Sequence, residues 1–193
     1  MTEIAKHSAK LADGRDLFYF DDFGSKLPSQ RKSDTRELQE RPAVAQMRLD
    51  SLSGEWVSVA AHRHGRAHLP PAHLCPLCPS TDENLSELPD NFDVAVFENK
   101  SPSFGPELLD AVDPNYAVVS DLALGSTRKS VGRCEVVVFS PEHLGSLGGL
   151  SVERVGTVLD ALADRTNHLQ TLPGVVQVFP FENRGQEIGV TLH

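Results

Sequence analysis

Long apolar runs are missing from this chain of 193 residues: nothing approaches the ~20 consecutive apolar residues that a bilayer-spanning helix needs. The N-terminus, MTEIAKHSAKLADGRD, has no apolar core either, so it does not read as a signal peptide. The sequence therefore reads as cytoplasmic, with no membrane partner. Positive charge is also scarce. Eighteen Lys and Arg stand against 27 Asp and Glu, a net charge of −9. That balance argues against nucleic acid as the main partner, because a phosphate backbone needs a basic surface. It leaves room for a small anion, which a few local donors can hold. Cysteine is limited to Cys75, Cys78 and Cys134. An odd count in an intracellular chain is poor material for a disulfide framework, and Cys75–Cys78 reads better as a metal or redox pair.

Repeats, low-complexity tracts and an alternating strand–helix pattern are absent as well, so the chain does not predict a parallel βαβ sheet. What is there is a series of short strands and one long helix. Residues 1–40 read as a partly ordered arm, with a short hairpin or strand around Leu17–Phe20 and a polar, proline-punctuated remainder. Residues 41–193 read as the folded domain. Its strand candidates are EWVSVAA after a turn at Ser53–Gly54, DVAVFEN, NYAVVSD, RCEVVVFSP and VVQVF. SVERVGTVLDALADRTNHLQTL predicts the helix, with Ser151 as N-cap, Glu153 in the first turn and Val155, Val158, Leu159 and Leu162 on one apolar face. The expected class is α+β, an antiparallel-rich sheet with one long helix.

Four stretches carry candidate chemistry. In Cys75-Pro-Leu-Cys78 two thiolates two residues apart can share one Zn²⁺. With no second CxxC, completing ligands must come from His62, His64, His68, His73 or the distant His143; the alternative is a reduced thiol pair in a loop. In HRHGR, Arg63 and Arg66 can clamp a phosphate, or form a solvated basic loop, which spacing alone favours. His143 lies just past a strand end, where a lone histidine is more often a surface or capping residue. Two FEN tripeptides, ending at Asn99 and Asn183, place an amide donor at a strand end, where asparagine is also simply common.

In this order, SLSGEWVSVAAHRHGR, CPLCPS, VFEN, GRCEVVVFSPEHLGSL and VFPFENRGQEIGVT resemble the galactose-1-phosphate uridylyltransferase family of histidine-triad-like nucleotidyltransferases, from about residue 47 to the last. The resemblance implies a histidine-triad-like half domain with a zinc-stabilised loop. It implies structural zinc on Cys75, Cys78 and His143, and substrate contacts from Arg63, Arg66, Asn84, Asn99, Lys100, Asn183, Gly189, Val190 and Thr191. It also implies exchange of a uridylyl group between UDP-glucose and galactose 1-phosphate through a uridylyl-histidine. The family's His-Pro-His-Gly-Gln motif is expected to begin just beyond this sequence, so no catalytic nucleophile is assigned here. His193 or a residue beyond it would be the fourth zinc ligand. The expectation is thus an N-terminal, truncated part of the enzyme, inactive alone and completed by a second chain carrying the C-terminal half; self-pairing into a homodimer is left open. The alternatives are a non-catalytic, zinc-stabilised uridine-nucleotide-binding module and a remnant.

Overall fold

A computed structural model describes residues 5–38, 45–61, 70–105 and 125–184. NYAVVSD and the HRHGR loop fall outside them. The strands are β1 (Ala5–Lys10), β2 (Asp16–Asp21), β3 (Gln46–Asp50), β4 (Glu55–Val59), β5 (Val94–Glu98), β6 (Thr127–Lys129) and β7 (Glu135–Val138); the helix α1 spans Val152–Leu169. They form a four-stranded sheet in the order β1-β2-β5-β7 and a three-stranded sheet in the order β4-β3-β6, with every pairing antiparallel. The α+β class expected from the sequence is what the chain forms. No helix among the described residues is long and apolar enough to cross a membrane.

The first sheet has cover on both faces, and β5 shows why. VAVFE is buried at all five positions, and its first four residues are the unbroken apolar run of a strand packed on two sides. Ala95 and Phe97 join Leu11, Leu17, Tyr19, Leu88 and Phe92 in one cluster. Val94 and Val96 join Phe20, Val158 and Ala161 in the other, under α1. The period of two thus sends alternate residues of one strand into two different cores.

Within the stretch read from sequence as a partly ordered arm over residues 1–40, Ala5–Lys10 and Asp16–Asp21 join this sheet. β1 and β2 are half of its strands, paired from Ala5↔Asp21 to Lys10↔Asp16, and β2 lies inside, with Leu17 opposite Phe97. The turn between them needs a left-handed residue, which Gly14 supplies at φ 82°. Two carboxylates anchor the segment. Asp16 meets Lys10 Nζ at 2.5 Å and Arg133 at 2.7 Å. Asp34 takes Arg36 at 2.8 Å and the Ala12 N–H at 3.0 Å. Burial pushes both carboxyls up, but these donors outweigh it and hold both below the ordinary carboxylate value. A carboxyl lowered in the folded state stabilises it above its unfolded pKa, and that contribution fades as pH falls through the folded value. The urea midpoint is therefore expected to drop as pH falls below about 4, and more gradually in Asp34→Asn than in the parent. Parallel acid profiles for the two proteins would contradict this.

α1 begins as expected, with the Ser151 side chain accepting from the Arg154 N–H and Glu153 in the first turn. Its buried face is rotated from the apolar reading. Thr157, Val158, Ala161, Arg165 and Leu169 are buried, while Leu159 is 60% exposed. The cause is charge: Arg165 turns inward to make two 2.9 Å bonds to Glu135, and Thr157 donates to Asp22 at 2.6 Å. VVQVF is not a strand either. No described strand pairs with it, and Val176 is 99% exposed. β-Branched residues favour a ladder only where a neighbouring strand offers one.

Candidate metal centre and substrate-strand end

A single turn of 3-10 helix, Ala72–Leu74, leads into the Cys-Pro-Leu-Cys loop, and the Cys75 N–H closes it onto the Ala72 carbonyl. Cys75 is buried at 1% exposure and Cys78 is half-buried. The loop is latched at several points. The Leu77 N–H points at Cys75 Sγ at 3.4 Å, an orientation that suits a sulfur carrying negative charge. Ser86 Oγ donates to the Cys78 carbonyl at 2.5 Å, and the Glu87 N–H to the Pro76 carbonyl at 3.0 Å. Asn84, expected at the nucleotide, donates its amide to the Cys75 carbonyl at 3.0 Å and braces the loop.

His143 arrives from the other side, five residues past the end of β7. Its Nδ1 lies 3.4 Å from Cys78 Sγ, although the two are 65 residues apart in sequence. The ligand atoms of Cys75, Cys78 and His143 all lie within 4.8 Å of one another. Two tetrahedral zinc ligands, one sulfur and one nitrogen, should stand roughly 3.6 Å apart, so the spacing fits. So does the chemistry. Burial first, then the neighbouring Cys75 and the charge of Glu142, push the Cys78 thiol up to about 11. Such a thiol ionises at neutral pH only opposite a cation. The trio therefore suits a soft divalent ion such as zinc. His73 is not part of the group; His62, His64, His68 and His193 lie outside the described residues.

The substrate residues assigned by resemblance divide into two sets. Arg63, Arg66, Gly189, Val190 and Thr191 lie outside the described residues. Asn99 and Lys100 follow β5, half-buried and exposed respectively, while Asn183 is exposed. Asn99 is fixed twice: its N–H donates to the Cys134 carbonyl at 2.9 Å, and its Oδ1 accepts the Ser101 N–H at 2.9 Å. The loop beyond is pinned where Gly105, at φ 95°, packs so closely that a Cβ would lie 2.2 Å from the Gly132 carbonyl oxygen.

Motif reading missed the group that joins these two regions. Arg15 has no exposed surface. It holds Asp13 at 2.7 Å, the Glu98 carbonyl at 2.9 Å and the Glu87 carboxylate. Glu87 also takes Arg36 at 2.9 Å. The Glu87 N–H bonds the Pro76 carbonyl inside the cysteine loop and Glu98 directly precedes Asn99, so one guanidinium ties that loop to the end of β5. The only sequence signal was Arg15 beside the Asp-Gly turn, which reads as ordinary turn polarity.

Residues 34–193 match the family described as galactose-1-phosphate uridyl transferase, N-terminal domain. A galactose-1-phosphate uridylyltransferase of Streptomyces lividans is 39% identical over 189 residues, covering 98% of this chain and 46% of that protein. Its namesake in Thermotoga maritima is 32% identical over 149 residues, covering 77% and 44%. That of Rattus norvegicus is 33% identical over 156 residues, covering 74% and 39%. The chain thus spans less than half the length of each of these relatives. A solved structure described as "Structure of uridylyltransferase" is 23% identical, with a TM-score of 0.48, covering 76% of this chain and 42% of that one.

Proposed function

Because the chain belongs to the galactose-1-phosphate uridyl transferase family through its N-terminal domain, we propose that it forms the metal-stabilised, substrate-cradling part of a UDP-glucose–hexose-1-phosphate uridylyltransferase. The observation that carries the proposal is the meeting of Cys75, Cys78 and His143, remote in sequence, in a chain of this family. Zinc is the proposed ion, supplying a fixed crosslink between the cysteine loop and the segment after β7 rather than reaction chemistry. With three unpaired cysteines, a reducing cytoplasm is the proposed compartment.

In this reading UDP-glucose and galactose 1-phosphate are the substrates. Asn99, Lys100, Asn183, Arg63, Arg66 and the Gly189–Val190–Thr191 segment form the donors around the pyrophosphate and sugar. Uridylyl transfer depends on holding charged oxygens in place while the phosphorus is attacked, which such donors do without reorganising. The attacking imidazole is proposed to come from a His-Pro-His-Gly-Gln segment, which these 193 residues do not contain. Asn84 joins this set from the cysteine loop that it braces, so its loss should act on the metal as well as on nucleotide.

Calorimetry tests the cradle. The zinc-loaded chain is expected to bind UDP-glucose, and Asn99→Ala to weaken it by roughly 10-fold, the loss of one or two hydrogen bonds to a charged ligand. No heat of binding at millimolar UDP-glucose, from a chain shown to be folded and metal-loaded, would remove the proposal.

A further inference from the structure

A cavity of about 560 Å³ opens between the β1–β2 hairpin and residues 29–33. In a chain of net charge −9 its lining is unexpectedly basic. His7, Lys10, Arg31 and Lys32 all line it, and none of the described lining residues is acidic. Ser29 and Ser33 add hydroxyl donors at the same wall.

Arg31 is the informative residue. Its side chain is only 3% exposed, and its Nη2 pairs with Asp21. Its Nε and Nη1 are buried with no hydrogen-bond partner, as is the neighbouring Tyr19 hydroxyl. A guanidinium stacked on the Tyr19 ring at 5.3 Å, with two nitrogens unmet in a dry setting, is costly unless an acceptor comes to it. The nearby carboxylates are already engaged. Asp21 also meets His7 Nε2 at 3.0 Å, Asp16 holds Lys10, and Asp90 takes the Lys32 N–H at 2.9 Å. The Lys32 ammonium itself makes no bond to a described residue.

We propose that this cavity is a binding site for a small phosphate-bearing oxyanion, held by Lys32 at the rim and by Arg31 beneath it. A tetrahedral dianion offers enough acceptors for the lysines, the serine hydroxyls and, after a small shift of the overlying side chains, Arg31. A monocarboxylate offers half as many and balances less of the charge. The cavity contains no residue assigned to the uridine nucleotide, so the proposal does not rest on the transferase reading.

The test is amide NMR on the full chain, titrated separately with inorganic phosphate, glycerol phosphate and acetate. Shifts in Ser8, Gln30 and Lys32 at low millimolar phosphate are expected, with acetate at least ~10-fold weaker. Glycerol phosphate distinguishes a phosphorylated metabolite, which should bind more tightly than phosphate, from free phosphate, which should bind equally or better; either result supports the site. Lys32→Glu changes an exposed side chain. It should leave the melting temperature in place and weaken phosphate at least ~10-fold. Arg31→Lys, checked for an unchanged melting temperature, should weaken it as well. The site is overturned if these amides stay still at tens of millimolar phosphate, or if their shifts are the same in both variants.

Discussion

Cys75→Ser protein is expected to purify without stoichiometric metal and to lose more than ~4 kcal/mol of stability, because the energy of a structural metal site is folding energy. For a chain of this size that is a fall of roughly 8–16 °C in melting temperature. Cys75 is the buried member of the trio and the anchor of the loop, its sulfur faced by the Leu77 N–H and its carbonyl held by Asn84. A serine oxygen neither ionises at neutral pH nor suits a soft ion. His143→Ala should behave alike, since it removes the ligand that crosslinks the loop to the segment beyond β7. Cys134→Ser should change neither metal content nor melting temperature by much, because Cys134 is not in the group. Chelator supplies the control. Stripping the parent should lower it to the stability of Cys75→Ser, and stripping Cys75→Ser should change little further. Full metal content in both Cys75→Ser and His143→Ala would refute the assignment.

Much of this was legible in the sequence, wherever one local pattern decides the outcome. The VAVF core of DVAVFEN is an unbroken apolar run and becomes most of the doubly covered β5. Ser151 caps α1 because its side chain needs only the backbone three residues on. The cysteine pair declares itself by spacing, while His143 gained its role from resemblance, and the structure puts it beside Cys78. Partners far apart were not legible. The two FEN tripeptides make the point: Phe97 is buried at 3% and Phe181 is 71% exposed, with identical neighbours on the C-terminal side. What separates them is β2 and β7 on either flank of β5, against no described strand beside the second. The rotation of α1 has the same origin. Apolar periodicity cannot see that Arg165 finds Glu135 and turns a charged position inward.

Arg15→Met is expected to cost about 3–5 kcal/mol, more than its apolar replacement would suggest, because it strands charge rather than merely removing a contact. Asp13 is nearly buried and meets Arg15 at 2.7 Å; Glu87 would keep only Arg36, and the Glu98 carbonyl would lose the bond from Arg15. If stranded charge is the cause, Arg15→Met combined with Asp13→Asn should recover part of the loss. If lost packing is the cause, the two changes should add. Arg15→Lys keeps the charge but not the fork that reaches three acceptors at once, and should fall between the parent and Arg15→Met. Stability alone does not separate a general scaffold residue from one that serves the metal loop. Metal release does. Glu87 adjoins the cysteine loop, so slackening its hold should speed capture of zinc by a chromogenic chelator well below the melting temperature. Thr157→Val, which breaks an Asp22 contact under α1, should lower stability without that acceleration. Equal release rates in the Arg15 and Thr157 variants, at matched distance below their melting temperatures, would reduce Arg15 to one more buried ion pair.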